Sequence, residues 1–143
     1  MESQLLNDGP EKTFALILQY GEEAMTELKK FAAREKLFAC RFTAIGAFSD
    51  AEVGFFDFSV KDYRHIPITE QTEVLSMVGD ITQYEDQPQV HAHVVLGKRD
   101  GTAHGGHLLK GTVHPTLEVI LTESPVWMKR RRDAKSGLPL IEL

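Results

Sequence analysis

The fold is decided by residues 91–107, which read HAHVVLGKRDGTAHGGH. The first half alternates, so that His91 and His93 share one face of a predicted strand while Ala92 and Val94 share the other. The Asp-Gly pair in the middle is typical of a hairpin turn, because glycine accepts the left-handed conformation that such turns need. The segment therefore predicts two antiparallel strands that both carry histidines.

The length of the turn decides whether His107 joins the other two histidines. A three-residue loop, Arg99-Asp100-Gly101, places His93 directly opposite His107, and the three imidazoles then share one face. A two-residue loop, Asp100-Gly101, shifts the pairing by one and turns His107 away. We favour the three-residue loop because a type I turn followed by glycine suits this sequence. In that register His104 lies on the opposite face.

Three imidazoles on one face are the ligand set of an open metal site. Neutral histidines favour zinc ahead of nickel, copper or iron, and a fourth position would remain for water or a partner group. We therefore predict that His91, His93 and His107 hold zinc. The pair Gly105-Gly106 would let the strands approach closely, although a bulge there would change the parity. The alternative is that the histidines are polar residues of a solvated strand face.

Composition indicates one soluble cytoplasmic domain over residues 1–143, with an N-terminal arm at about 1–11 and a C-terminal tail at 124–143. Sixteen basic and twenty-one acidic residues give a formal charge of -5, which argues against binding a polyanion over a broad surface. The first eleven residues lack the pattern of a signal peptide, and no apolar run approaches the ~20 residues of a membrane span. The single cysteine, Cys40, indicates a buried reduced thiol.

The rest of the chain predicts one main helix and several short strands. Gly21-Glu22-Glu23 opens an amphipathic helix, with apolar residues at helical spacing. A turn is expected at Ser49-Asp50 and a loop over residues 84–89. The predicted strands outside the histidine hairpin are residues 13–19, 38–48, 51–58, 63–69, 73–82 and 116–122. About seven strands and one flanking helix predict an α+β fold with a mainly antiparallel sheet.

Two further features are candidates for function. Glu118, in the last predicted strand, could orient a metal-bound histidine, since such ligands usually donate their other ring N–H to a carboxylate. A lone strand glutamate is more often solvated. The one basic cluster, Lys129, Arg130, Arg131 and Arg132, is a candidate for nucleic-acid contact, and a solvated surface is again the alternative.

Three segments together resemble the plants-and-prokaryotes-conserved (PPC) domain, which plant AT-hook nuclear proteins carry and which occurs alone in bacteria and archaea. They are residues 42–57 (FTAIGAFSDAEVGFFD), 72–81 (TEVLSMVGDI) and 91–123, which includes the histidine hairpin. The resemblance covers nearly the whole chain in the right order. It implies an antiparallel sheet with flanking helices, assembled as a homotrimer through sheet faces.

The resemblance also bears on metal and DNA. Prokaryotic members with His-x-His and Gly-Gly-His elements resemble metal binders, and those elements correspond here to His91, His93 and His107. Plant members usually lack these histidines. The Arg-Gly-Arg-Pro core of the AT-hook is absent from this sequence. DNA contact would therefore be weak and salt-sensitive, made by three copies of the basic cluster in a trimer.

The sequence thus supports three functions. The first is a homotrimeric zinc-binding module with a binding or regulatory role. The second is a metal-dependent enzyme, in which three histidines and a water form a hydrolytic or hydrating site. It would need a general acid or base beside the metal, for which Glu118, Glu73 and His104 are the candidates. The third is a DNA-associated architectural protein.

Overall fold

The computed structural model describes residues 1–7, 9–124 and 128–142. One helix and nine strands are found in these ranges, and the predicted α+β class is confirmed. The elements are β1 Glu2–Asn7, β2 Thr13–Leu18, α1 Ala24–Glu35, β3 Ala39–Asp57, β4 Asp62–Ile68, β5 Thr72–Tyr84, β6 Gln87–Gly97, β7 Ala103–Glu123, β8 Lys129–Arg132 and β9 Pro139–Glu142.

The predicted count of about seven strands is too low. Part of the predicted N-terminal arm forms β1, which pairs with β2. Part of the predicted tail forms the β8–β9 hairpin, while residues 125–127 and 143 of that tail lie outside the described ranges. These strands are short and largely exposed, so they lack the alternation of apolar and polar residues that identifies a half-buried strand.

Two predicted interruptions of the strands are not found in the structure, so these predictions are wrong. Strand β3 continues through Ser49 and Asp50, where the register with β7 shifts instead of the chain turning. The Asp50 carboxylate accepts a hydrogen bond from the Thr112 hydroxyl at 3.2 Å, so these polar residues are accommodated by bulges in the ladder. The expected loop at 84–89 is only the two-residue turn Glu85-Asp86, and both residues have positive φ.

Four strands pair in a closed circuit that positions the histidines. Strand β3 pairs with β5, β5 with β6, β6 with β7, and β7 again with β3, all antiparallel. Side chains that alternate along β6 separate into two sets: Val90, Ala92, Val94 and Leu96 are buried, whereas His91 and His93 point to the outer face. Because side chains alternate along the strand, His91 and His93 lie outside the core.

Helix α1 covers the inner side of this sheet. Its N-terminus is capped by Glu23, whose carboxylate accepts hydrogen bonds from the backbone N–H groups of Met25 and Thr26. Leu28 and Phe31 are buried, and the Phe31 ring meets Phe14 edge to face at 5.2 Å. Burying each such side chain contributes about 1.5–3 kcal/mol, so the helix helps to hold the strands in a fixed register.

The Cys40 thiol belongs to this core, as expected. It is fully buried at the start of β3. Burial raises the pKa of the thiol to about 12, with a further contribution from the negative charge of Glu123. The thiol is therefore protonated at physiological pH and serves as a small apolar group.

Candidate metal centre

The histidine hairpin has the three-residue turn that the sequence favours. The backbone N–H of Lys98 donates to the Thr102 carbonyl at 2.8 Å, and the N–H of Gly101 donates to the Lys98 carbonyl at 3.0 Å. Gly101 has φ +82°, the left-handed conformation that glycine adopts without strain. His93 is directly opposite His107, and the predicted register is confirmed.

The three histidines converge as this register requires. One ligating nitrogen from each of His91, His93 and His107 lies within 4.8 Å of the others. The ring centroids are 5.1 Å apart for His91–His93 and His91–His107, and 5.5 Å apart for His93–His107. His104 pairs with Leu96 and lies outside the group, as predicted.

Two glycines let β7 lie close to both of its neighbours. A Cβ atom on Gly105 would lie 2.8 Å from the backbone oxygen of Val94 on β6, and one on Gly106 would lie 2.8 Å from the backbone oxygen of Gly54 on β3, distances that real side chains do not tolerate. The register from His93–His107 to Gly97–Ala103 is uninterrupted, so the glycine pair does not introduce a bulge between β6 and β7. His107 on β7 therefore stays on the same face as His91 and His93 on β6.

His107 is the most enclosed of the three ligands. The Tyr63 ring stacks on it with centroids 4.6 Å apart. Burial lowers the pKa of His107 to about 4, and charges on His91, His93 and Arg130 act in the same direction. Its Nδ1 atom is buried without a hydrogen-bond partner among the described residues. Burial, together with the charge on His91, also lowers the pKa of His93.

Asp80 and Arg130 complete the site from two other elements. Arg130 Nη2 donates to Asp80 Oδ1 at 2.6 Å and lies 3.4 Å from His91 Nδ1, while Asp80 Oδ2 is 3.5 Å from the same ring nitrogen. Burial tends to raise the pKa of Asp80, but hydrogen bonds from His91 and Arg130 outweigh it and hold the pKa below its ordinary value. An ionised carboxylate can therefore orient His91.

A cavity of about 230 Å³ opens beside the histidines. His91, His107 and Arg130 form its polar side, and Tyr63 borders it. The apolar lining is Val90 together with Leu138, Pro139 and Leu140 from the β8–β9 hairpin. The histidine cluster is therefore bordered on one side by a hairpin that is far away in the sequence.

The residues present fit a divalent transition metal. Tetrahedral zinc holds neighbouring nitrogen ligands about 3.3 Å apart, which small side-chain rotations reach from the observed spread. The lowered pKa values of His93 and His107 keep these two imidazoles neutral near pH 7, and a neutral imidazole is the form that binds metal. The buried, unpartnered Nδ1 of His107 is a polar atom for which the protein itself supplies no partner.

The other predicted site residues are placed elsewhere or act differently. Glu118 was predicted to orient a metal-bound histidine, but it is exposed and lies eleven residues along β7 from His107, where it pairs with Ile17 and Ile45. The carboxylate beside the histidines is that of Asp80 instead. Arg130 was expected in a surface cluster, yet its side chain is only 6% exposed because it is directed towards Asp80. Lys129, Arg131 and Arg132 are exposed, and Arg131 pairs with Glu142 at 3.1 Å.

A signal for Asp80 was present in the sequence. Had Glu85-Asp86 been recognised as a two-residue turn, the register of β5 against β6 would have placed Asp80 opposite His91, as the structure has it. The residues from the β8–β9 hairpin had no such local signal. No helix in the described ranges has the length and apolar character needed to cross a membrane.

Comparison with known proteins identifies relatives of the whole fold. The family model of the Plants and Prokaryotes Conserved (PCC) domain matches residues 6–125. A plant- and prokaryote-conserved protein from Pyrococcus horikoshii superposes with a TM-score of 0.87 and 31% identity, covering 99% of this chain and 95% of that one. A metal-containing protein from Archaeoglobus fulgidus gives a TM-score of 0.86 and 31% identity, covering 99% and 97%.

Two further matches extend the range of relatives. A candidate DNA-binding protein from Ralstonia eutropha JMP134 has a TM-score of 0.86 and 28% identity, with 91% of this chain and 90% of that one covered. The bifunctional protein GlmU of Synechococcus sp. strain JA-3-3Ab is 29% identical over 137 residues, or 94% of this chain. This chain spans only 21% of the length of that protein.

Proposed function

This chain belongs to the Plants and Prokaryotes Conserved domain family, and on that premise we propose that it is a zinc-binding homotrimeric module. The observation that carries the proposal is the convergence of His91, His93 and His107 within 4.8 Å. These residues would hold the ion, with Asp80 orienting His91. When bound, zinc supplies a Lewis-acid position beside the cavity.

Zinc is favoured over other metals by the donor set. Three imidazoles without a thiolate suit zinc, nickel, copper or iron, and zinc accepts the irregular geometry of three ligands from two strands most readily. The metal-containing relative from Archaeoglobus fulgidus, similar over 99% of this chain, supports a metal in this fold. The protein's own contribution is to keep the imidazoles of His93 and His107 neutral and to orient His91.

Elemental analysis tests the metal directly. The protein is purified without chelator or metal column, beside a His107→Ala variant and a His104→Ala control from the opposite face. We expect about one zinc per chain in the wild type and the control, and almost none in His107→Ala. Equal metal content in the two variants would contradict the proposed ligand set.

The trimer is proposed from an apolar patch on the outer face. We define the outer patch as Ile45, Leu75, Val78, Val95 and Ile120, whose side chains are 42–59% exposed. Thr43 links two of them through its pairing with both Val78 and Ile120. Exposed apolar side chains grouped in this way are typical of subunit contacts. We propose that two further copies of the chain cover the patch.

Light scattering after size-exclusion chromatography tests this assembly. An Ile120→Lys substitution places a charge in the outer patch and should shift the mass from trimer towards monomer. Val60→Lys is the matched control, since Val60 is 66% exposed in the turn between β3 and β4, outside the patch. A monomeric wild type, or equal behaviour of the two variants, would contradict the proposed interface.

DNA association is a second candidate, favoured by the exposed Lys129, Arg131 and Arg132 and by the similarity to the candidate DNA-binding protein from Ralstonia eutropha. Three copies in a trimer would give weak, salt-dependent phosphate contacts. Electrophoretic mobility at low and moderate salt tests it. An Arg131→Ala, Arg132→Ala double variant should lose any shift, while Lys29→Ala, Lys30→Ala on helix α1 should retain it. Retention by the first variant would contradict this patch as the site.

A further inference from the structure

The cavity beside the histidines has two chemically distinct sides. The polar side includes the guanidinium of Arg130 and the rings of His91 and His107. The apolar lining comes from Val90 and from residues 138–140. A ligand that fits both sides has one anionic end and a short hydrocarbon body.

Charge favours an anion at the polar end. Arg130 and Asp80 neutralise each other as an ion pair. A divalent metal held by three imidazoles therefore leaves the site with a net positive charge. No carboxylate lines the cavity within the part of the chain that is described.

Arg130 has hydrogen-bonding capacity left for such an anion. Its Nε, Nη1 and Nη2 atoms donate to Thr82 Oγ1, the Pro139 carbonyl and Asp80 Oδ1 at 2.6, 2.7 and 2.6 Å. A guanidinium has five N–H groups, and Nη2 also lies 3.4 Å from His91 Nδ1, so one N–H group, on Nη1, remains without such a contact to the described residues. Three anchoring bonds also fix the position of the group, which lowers the entropic cost of binding a ligand.

We propose that this cavity binds a small organic carboxylate, with the carboxylate between the metal position and Arg130 and its hydrocarbon body against Leu138 and Leu140. This inference rests on the proposed metal site. The volume of about 230 Å³ lies below the 300–1,000 Å³ of drug-sized ligand pockets, so the ligand is a small acid of a few carbons. The β8–β9 hairpin thereby determines which ligand reaches the metal.

Visible spectroscopy of the cobalt-substituted protein tests the metal site and the binding of the carboxylate separately. Cobalt(II) replaces zinc, and the appearance of its absorption bands on loading reports the metal site before any ligand is added. Failure at this stage contradicts the metal site. Three probes are then titrated: isovalerate, acetate and the neutral isovaleramide. We expect isovalerate to change the bands in a saturable way and isovaleramide to leave them unchanged.

The affinities of the two acids show whether the apolar lining of the cavity contributes to binding. Isovalerate should bind about tenfold or more tightly than acetate, because its extra carbons are buried against the apolar wall. Equal affinity for the two acids would overturn the role of that wall. Unchanged bands with isovalerate on a loaded metal, or equal effects of isovalerate and isovaleramide, would overturn the carboxylate site.

A pair of neighbouring substitutions supplies the matched control. Leu140 lines the cavity and is 46% exposed, whereas Ile141 is 40% exposed and lies outside it. Leu140→Asp should raise the half-saturating isovalerate concentration by about tenfold through charge repulsion, and Ile141→Asp should leave it within about twofold. Both variants should still take up cobalt. Equal isovalerate affinity in the two variants would place the ligand elsewhere.

Discussion

Two hairpins meet at the candidate metal centre, and they differ in how they contribute to it. The β6–β7 hairpin supplies the three histidines, and its geometry follows from local sequence: alternation along each strand and a turn closed by Gly101. The β8–β9 hairpin supplies Arg130 and the apolar wall, and its place depends on packing against β5 and β6. In the proposed site the first hairpin would determine which metal binds, and the second would shape the surroundings of that metal.

The largest effect should come from replacing Arg130 in the second hairpin, with Arg131 of the same hairpin as the matched control. Arg130→Ala removes the partner of Asp80 and should lower the free energy of unfolding by about 3 kcal/mol, because it leaves a half-buried carboxylate unpaired. Arg131→Ala breaks only the exposed pair with Glu142 and should cost less than about 1 kcal/mol. Urea denaturation of both variants measures the difference. Equal losses would mean that Arg130 is not held as described.

A second prediction compares the carboxylate found beside His91 with the one expected from sequence. Asp80→Asn keeps the shape of the side chain but removes the charge that orients His91, and should weaken metal affinity about 10–100-fold. Glu118→Gln should change it little, since Glu118 lies at the far part of β7. Competition with a chelator of known affinity measures both. An equal loss in both variants would contradict the assignment of Asp80.

The candidate site shows which features could be predicted from the sequence alone and which could not. Periodicity of apolar residues and turn chemistry act over a few residues, so they predicted the hairpin register that aligns His93 with His107 and the existence of helix α1, though not its cap at Glu23. The role of Arg130 depends on a contact with Asp80 across fifty residues, and periodicity carries no information on such a contact. For the same reason a run of four basic residues looked like one surface, although the fold divides it between the site and solvent.

The third effect concerns the stability of the metal-free protein and is spread over a range of pH. The fold lowers the pKa of His107 from 6.5 to about 4, so it favours the neutral imidazole. Its contribution to stability is therefore complete above pH 6.5 and is lost as the pH falls towards 4. We expect the free energy of unfolding of chelator-treated protein to fall by about 1 kcal/mol per pH unit across this window. Thermal unfolding from pH 7.5 to 4 measures it.

A pair of variants shows which histidine causes this pH dependence of stability. His107→Asn cannot titrate in this range, so its stability should change less between pH 6.5 and 4 than that of the wild type. His104→Asn alters the exposed histidine on the other face of β7 and should retain the wild-type slope. If His107→Asn kept that slope as well, the pH dependence would have to come from other groups.

The proposed function depends most directly on one metal ion bound among the three histidines. Crystals of the protein purified without chelator can be measured with X-rays just above and just below the zinc absorption edge. We expect one anomalous peak per chain, about 2.0–2.1 Å from one nitrogen each of His91, His93 and His107. A metal-containing crystal with its peak at any other residues, or native crystals with no peak here, would contradict the central claim.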